Sequence, residues 1–321
     1  MSTLITGGAG FIGSHLAAFY TSGGQPVTVL DNLSSGKRSN FVDPEGVTLI
    51  EGDVADAALV ARAVADAEMV YHLAAVASVA ECIKNPEAAY RTNVAGTQAV
   101  FDAVAKAQAA TGRVIPVVYA SSAAVYGDST DLPLSETAQT KPLSPYGEHK
   151  LENERIAARA FAEHGVRSVG LRFFNVYGPR QDPSSPYSGV ISIFIDRAQK
   201  GQNLTIFGDG EQSRDFIYVR DVVNCMRNAA AWAQGSVWTV VLPSGADVLN
   251  VATGTATNLK LLARTIGTVL GKQELTLDYL PARDGDIRHS LGNPYAVMET
   301  FNIVHWTPLL YGLQEMLVPD A

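Results

Sequence analysis

Thr6-Gly7-Gly8-Ala9-Gly10-Phe11-Ile12-Gly13 stands between an apolar run, Thr3–Thr6, and an amphipathic stretch, Ser14–Tyr20. Gly7, Gly10 and Gly13 are spaced G-x-x-G-x-x-G, and Gly8, Gly10 and Gly13 also fit G-x-G-x-x-G. Either way the missing side chains let backbone N–H groups approach phosphate oxygens, and the helix that follows favours negative charge at its start. A second apolar run, Val27–Leu30, ends on Asp31. A carboxylate there can accept hydrogen bonds from the adenosine ribose of a dinucleotide, and it repels a 2′-phosphate. NAD is therefore expected rather than NADP. Lys37 and Arg38 argue the other way, but they read better as a solvated basic pair. Asp53 is placed either to face the adenine or to cap the helix after it. Leu73-Ala74-Ala75 closes the fourth apolar run with small side chains that let backbone pass close to a cofactor.

Outward from this loop, short runs rich in Val, Ile and Leu alternate with alanine-rich helical stretches. Strands are expected at Thr3–Thr6, Val27–Leu30, Val47–Ile50, Met69–His72, Val114–Tyr119 and Ser168–Phe173. Helices are expected at Ala55–Asp66, Glu87–Ala110 and Tyr146–His164. This rhythm predicts an α/β fold: a doubly wound parallel sheet of Rossmann type, with ligands beyond the strand C-terminal ends. The second half is less regular. Residues 179–189 read as a loop, Val190–Lys200, Arg220–Ala233 and Asn258–Leu270 as helices, and Leu204–Phe207 and Leu275–Tyr279 as strands. The expected division is a dinucleotide domain over residues 1–176, rejoined by 211–254. A smaller, discontinuous α/β substrate-binding region would span 177–210 and 255–321.

The 321 residues are 47% hydrophobic and 17% charged, which is a globular balance. A net charge of −8 and the lack of a basic aromatic stripe weigh against nucleic-acid binding. Cys82 and Cys225 have neither metal-ligand nor disulfide spacing, so no metal site is expected. No apolar run reaches membrane-spanning length and no leader fits before Leu4, so the expectation is a cytoplasmic enzyme.

The chemistry sits in a second cluster. Tyr146 and Lys150 are four apart, hence on one helix face, and Pro145 suits the helix start. A free tyrosine, with a pKa of about 10, is too weakly acidic to serve as a base at neutral pH. A neighbouring ammonium is expected to favour the phenolate and lower that value. Ser121 or Ser122, at the end of a strand, could hydrogen-bond the reacting oxygen, and spacing alone does not separate the two.

These motifs resemble the extended short-chain dehydrogenase/reductase family, and its nucleotide-sugar epimerases in particular. The resemblance runs through the glycine loop, Asp31–Gly36, His72–Ala75, Asn93–Thr97, Ser121–Gly127, Ser144–Lys150, Arg172–Pro179, Gly208–Asp221 and Pro281–Ser290. It implies Ser122, Tyr146 and Lys150 as the catalytic set. It also implies that Phe11, Ile12, Asn32, Ser34, Gly36, Val54, Asn93 and Phe173 complete the NAD site. Asn175, Val190, Phe207, Arg214, Arg283, Asp286 and Ser290, with Ser122, would hold a UDP-sugar. Arg214 and Arg283 fall to the diphosphate, Asp286 to the uridine ribose and Phe207 to the uracil. Dehydratases of this family carry an acidic pair where this chain has Ala123 and Ala124, which disfavours elimination. Asn175 stands where glucuronate-processing relatives tend to carry threonine. Serine at position 290, where epimerases confined to UDP-glucose and UDP-galactose are bulky, leaves room for an acetamido group. The resemblance also implies a homodimer. The stretch 236–247 is longer than in relatives, and the C-terminal segment lacks their lysine-rich helix.

Overall fold

A computed structural model describes residues 2–183, 189–235, 246–272, 274–282 and 286–317. The main sheet contains β1 (Thr3–Thr6), β2 (Val27–Asp31), β3 (Val47–Glu51), β4 (Met69–His72), β5 (Val117–Ser122), β6 (Ser168–Phe173) and, past a three-residue β7 (Asn175–Tyr177), β8 (Leu204–Phe207) and β9 (Ser213–Tyr218), the seventh strand β10 (Ala246–Val251). Its order is β3-β2-β1-β4-β5-β6-β10, and every pairing is parallel. The direction of winding reverses between β1 and β4, which opens a crevice beyond their C-terminal ends.

Period-two alternation builds a core on each face of this sheet. Ile5, Val29, Tyr71 and Val118 point to one side, against helices α1 (Phe11–Ser22) and, later in the chain, residues 219–233. Their neighbours Leu4, Leu30, Val70 and Val117 point to the other. There they meet α2 (Ala57–Val64) and, beyond the short α3 (Val79–Lys84) and α4 (Pro86–Tyr90), the longer α5 (Gly96–Thr111) and α6 (Pro145–His164).

A smaller region has its own core, built on Phe194, Leu204, Ile206, Phe216, Leu262 and Ile266. It contains α7 (Val190–Gln199), α8 (Val219–Ala233), which leaves it to cover the main sheet, and α9 (Leu259–Val269). Strand β11 (Ala256–Asn258) pairs with β9, which pairs with β7, and β12 (Leu277–Leu280) pairs with β8. Helices α10 (Tyr295–Phe301) and α11 (Leu309–Glu315) follow. No helix among the described residues is long and apolar enough to cross a membrane.

The structure differs from the sequence-based expectations at four places. Strand β5 starts three residues late, because Pro116 has no N–H for the ladder; its carbonyl instead accepts from Val70 at 3.0 Å. The strand consequently runs through both serines. The expected helix over 87–110 is divided by a π-turn at Arg91–Ala95. Asp56, not Asp53, caps α2, accepting from the N–H groups of Ala58 and Leu59 at 3.0 and 3.1 Å. Of the segment 211–254, α8 and β10 join the main sheet, whereas β9 belongs to the small one. Most of the stretch 236–247, at 236–245, lies outside the described residues.

Candidate active site

The crevice encloses about 470 Å³, within the range of small-molecule sites. The glycine turn forms its floor. Gly7 has φ +70°, and a Cβ there would lie 2.6 Å from the Ala74 nitrogen. A Cβ on Gly13 would run into the Gly7 carbonyl oxygen and come within 2.7 Å of Gly8 Cα. The turn thus packs against the loop that follows β4 on one side and the start of α1 on the other. Gly10, Phe11, Ile12 and Gly13 present the start of α1 to the cavity, and no acidic side chain occupies its first turn. A backbone cradle that any side chain would fill, at the positive end of a helix, fits the pyrophosphate of a dinucleotide. A Gly13→Ala variant gains helix propensity of roughly 1 kcal/mol, but the clash outweighs it. NAD affinity, read by calorimetry, should fall about tenfold or more, as overpacking of 1–3 kcal/mol implies. Unchanged affinity would refute the cradle.

Asp31 is buried at the end of β2 and lines the cavity. Its carboxylate accepts from Ala9 N–H at 2.9 Å and Leu33 N–H at 2.8 Å, which fixes its direction. Burial raises its pKa, and these two bonds oppose the rise. The basic pair nearby has carboxylate partners: Lys37 pairs with Asp182, and Arg38 with Glu51 at 2.6 Å. Arg38 is exposed, as expected of a solvated loop, whereas Lys37 also reaches the rim of the cavity.

Asn32, Ser34, Val54, Leu73, Ala74, Ala75, Phe173 and Asn175 line the crevice as well. Three residues expected there do not line it. Gly36 packs against the Ala9 backbone. Asp53 accepts from Ala55 N–H and pairs with Arg91 at 2.9 Å. Asn93, displaced inward by the π-turn, holds Val76 at both backbone groups, at 2.7 and 3.0 Å. Behind them runs a directed chain of hydrogen bonds. Ala74 N–H donates to Thr6 Oγ1, Thr6 to His72 Nδ1, His72 Nε2–H to Thr97 Oγ1, and Thr97 to the Asn93 carbonyl. This chain requires a neutral His72, and burial, with Lys150 as a lesser cause, lowers its pKa to about 3. His15 is lowered to about 4 by burial and by Arg180. Both native values lie below the unfolded one of about 6.5. Their contribution to stability is therefore complete above pH 6.5. It is lost as pH falls toward 4 and then 3, because only the unfolded chain takes up the protons. The urea-unfolding free energy should fall by roughly 1.4 kcal/mol per pH unit for each histidine once pH is well below 6.5. A value that does not fall between pH 7 and 5 would contradict this.

The catalytic candidates meet at one end of the crevice. Ser144 caps α6, accepting from Gly147 N–H at 3.2 Å, and Pro145 occupies the first helical position, so Tyr146 stands in the first turn. Ser122 and Ser121 diverge, as strand neighbours must. Ser122 lines the crevice with Tyr146, near enough to hold the phenol's pKa down, and accepts from Ala124 N–H at 3.2 Å. Ser121 turns away and donates to Glu154 at 2.6 Å. The structure therefore separates the two serines. Lys150 is buried, with Nζ 5.7 Å from the centre of the Tyr146 ring, and donates to the Ala120 carbonyl at 2.8 Å. The expectation for the phenol needs correcting. Burial pushes Tyr146 up to about 12, and the influence of Ser122 offsets only part of this. Lys150 is itself brought down to about 8 by burial. Desolvation of the pair exceeds any help that the ammonium gives the phenolate. Ala123 and Ala124 follow Ser122 in a short 3₁₀ turn that contributes no carboxylate.

The residues expected to hold a substrate form two groups. Ser122 and Asn175 line the crevice, and Val190 starts α7 beside Gly189 at its edge. Phe207, Arg214, Asp286 and Ser290 lie farther out. Arg214 donates to Asp286 at 2.6 Å, and Ser290 N–H donates to the Ser213 carbonyl at 3.1 Å. Arg283 lies outside the described residues. Sequence reasoning missed Asn40, Arg180, Gln181 and Asp182 on the cavity wall. Arg180, at φ +64°, donates to Ser14 Oγ, the Asn40 carbonyl and His15 Nδ1, tying the loop after β7 to α1. No spacing rule links residues so distant in sequence.

Comparison with known proteins follows the same lines. Residues 3–240 match the NAD dependent epimerase/dehydratase family. A UDP-glucose 4-epimerase of Azospirillum brasilense is 33% identical over 297 residues, covering 88% of this chain and 81% of that protein. The structure of a UDP-N-acetylglucosamine 4-epimerase from Methanobrevibacter ruminantium, in complex with UDP-N-acetylmuramic acid, superposes with a TM-score of 0.87. It is 34% identical, over 98% of this chain and 96% of that one. A UDP-N-acetyl-alpha-D-glucosaminuronate decarboxylase of Bacillus cytotoxicus is 36% identical over 227 residues, 68% of each protein.

Proposed function

The chain belongs to the NAD dependent epimerase/dehydratase family, and from that premise we propose that it inverts C4 of UDP-hexoses, N-acetylated ones included. The observation that carries this reading is the meeting of Ser122, Tyr146 and Lys150 at the end of a dinucleotide cradle, beside alanines where elimination needs acids.

Gly7, Gly10, Gly13 and the start of α1 would hold the NAD pyrophosphate, and Asp31 the adenosine ribose. When bound, NAD+ would accept the C4 hydrogen with its electron pair, return it later, and add positive charge to the site. Tyr146 Oη takes the proton of the sugar 4-hydroxyl, and Ser122 hydrogen-bonds the same oxygen. Lys150 opposes the phenolate charge from behind the ring. Burial raises the phenol's pKa, and positive charge added near it favours the phenolate and makes Tyr146 a better base. The 4-keto sugar then turns over in the pocket, Tyr146 returns the proton, and the net change is inversion.

Asn175, Val190 and Phe207 would contact the nucleotide-sugar, with Arg214 and Arg283 on the diphosphate and Asp286 on the uridine ribose. Guanidinium forks suit phosphate oxygens. A small side chain at Ser290 leaves space for a C2 acetamido group. The working form would be a homodimer, and a monomeric mass by light scattering at micromolar concentration would refute that.

The functional test is to incubate the purified protein separately with UDP-glucose, UDP-N-acetylglucosamine and UDP-glucuronate, without added NAD, and follow C4 inversion by proton NMR. Inversion is expected for the first two. Conversion of UDP-glucuronate alone, or release of carbon dioxide from it, would overturn the reading.

A further inference from the structure

We infer that Glu154 is a positioning residue for this reaction, locking the helix that carries Tyr146 and Lys150 to the strand end that carries Ser122. The inference rests on the functional reading above. Glu154 lies on α6 one turn beyond Lys150 and two beyond Tyr146, and its side chain is only 9% exposed. One oxygen, Oε1, accepts from Ser121 Oγ at 2.6 Å and from Arg172 Nε at 2.8 Å. The other accepts from Arg172 Nη2 at 2.7 Å. A single carboxylate thus joins α6 to β5 and β6 at the level of the reacting groups.

Arg172 carries the connection onward. Its Nη1 donates to the Tyr126 hydroxyl at 2.7 Å and to the Glu136 carbonyl at 3.1 Å. Tyr126 ends the short turn that begins just after Ser122, and its hydroxyl donates to Asn250 on β10 at 2.7 Å. Ser122 is therefore held on both sides, through Ser121 before it and Tyr126 after it. Register completes the argument: Ser121 pairs with Arg172, and Ser122 with Phe173. Because neighbouring strand residues point to opposite faces, fixing the direction of Ser121 fixes that of Ser122 toward the crevice. Glu154 touches neither the cavity nor the reacting oxygen. Its effect passes through the spacing between Ser122 and Tyr146, where an error of about 1 Å can cost a hundredfold in rate.

The test uses the full chain with NAD bound, as wild type, Ser121→Ala and Glu154→Gln, with kcat and KM measured across pH. Each variant should lose roughly tenfold in kcat with KM within about twofold, a loss smaller than removing a reacting group. The pH at which the base becomes active should move upward in both, because Ser122, which favours the phenolate, is held less firmly near it. The double variant should be no slower than the slower single, as expected for residues acting through one link. Should Glu154→Gln fail to fold, Ser121→Ala, which removes one hydroxyl and leaves the ion pair whole, decides alone. A Ser121→Ala enzyme with wild-type kcat and pH profile overturns the positioning role while leaving the epimerase reading intact. A wild-type chain that inverts no UDP-sugar removes both.

Discussion

Replacing Tyr146 with phenylalanine should lower kcat by roughly two to four orders of magnitude, the usual contribution of a positioned proton-transfer group. The substitution removes one oxygen and keeps the ring. That oxygen is the one whose pKa Ser122 holds down, and Ser122 keeps its bond to Ala124 N–H afterwards. The ring stays in the first turn of α6, with Lys150 still anchored on the Ala120 carbonyl. NAD affinity and near-ultraviolet circular dichroism should therefore match wild type. The loss should fall on kcat and kcat/KM alike, since the missing interaction acts on a proton in flight and not on the resting substrate. A phenylalanine enzyme turning over at near-normal rate would mean that another group removes the proton.

Arg172→Leu should cause the largest loss of stability. Glu154 and Arg172 are both nearly inaccessible, at 9% and 7% of their side-chain area. Burial works to lower the guanidinium pKa, but the hydrogen bonds and charge of Glu154 outweigh it, and the net shift is upward. Leucine fills much of the volume yet leaves Glu154 as a buried carboxylate without its counter-ion. It also leaves the Glu136 carbonyl without a donor from this side chain. Breaking a buried pair from one side costs about 3–5 kcal/mol. Thermal melting should fall on the order of 10 °C. Replacing both partners with apolar residues should recover part of that loss, since no charge is then stranded. A single variant melting with wild type would show that water reaches Glu154 freely.

Much of the dinucleotide half was legible because its signals are local. Strands β1, β4 and β6 coincide with the runs expected from composition. Tyr146 and Lys150 share a helix face because four residues make about one turn, and Ser144-Pro145 starts that helix where expected. The errors were local as well. Pro116 delayed β5, and an aspartate three residues farther along proved the better cap for α2.

Residue order and type alone determined the parallel sheet, the glycine turn at its switch point and the pairing of a phenol with an ammonium. Each of these depends on neighbours within a few positions, or on the burial pattern of a single element. Only the folded chain showed Ser121 Oγ engaged by Glu154 from another helix, with Ser122 left on the crevice wall alongside Tyr146. It alone set the phenol near 12, because desolvation depends on everything packed around the ring and not on the lysine four residues away. It alone brought Arg180 and Asp182 to the wall that Lys37 and Asn40 share. Contacts across more than a hundred residues leave no periodic trace in a sequence, and dielectric environment leaves none at all.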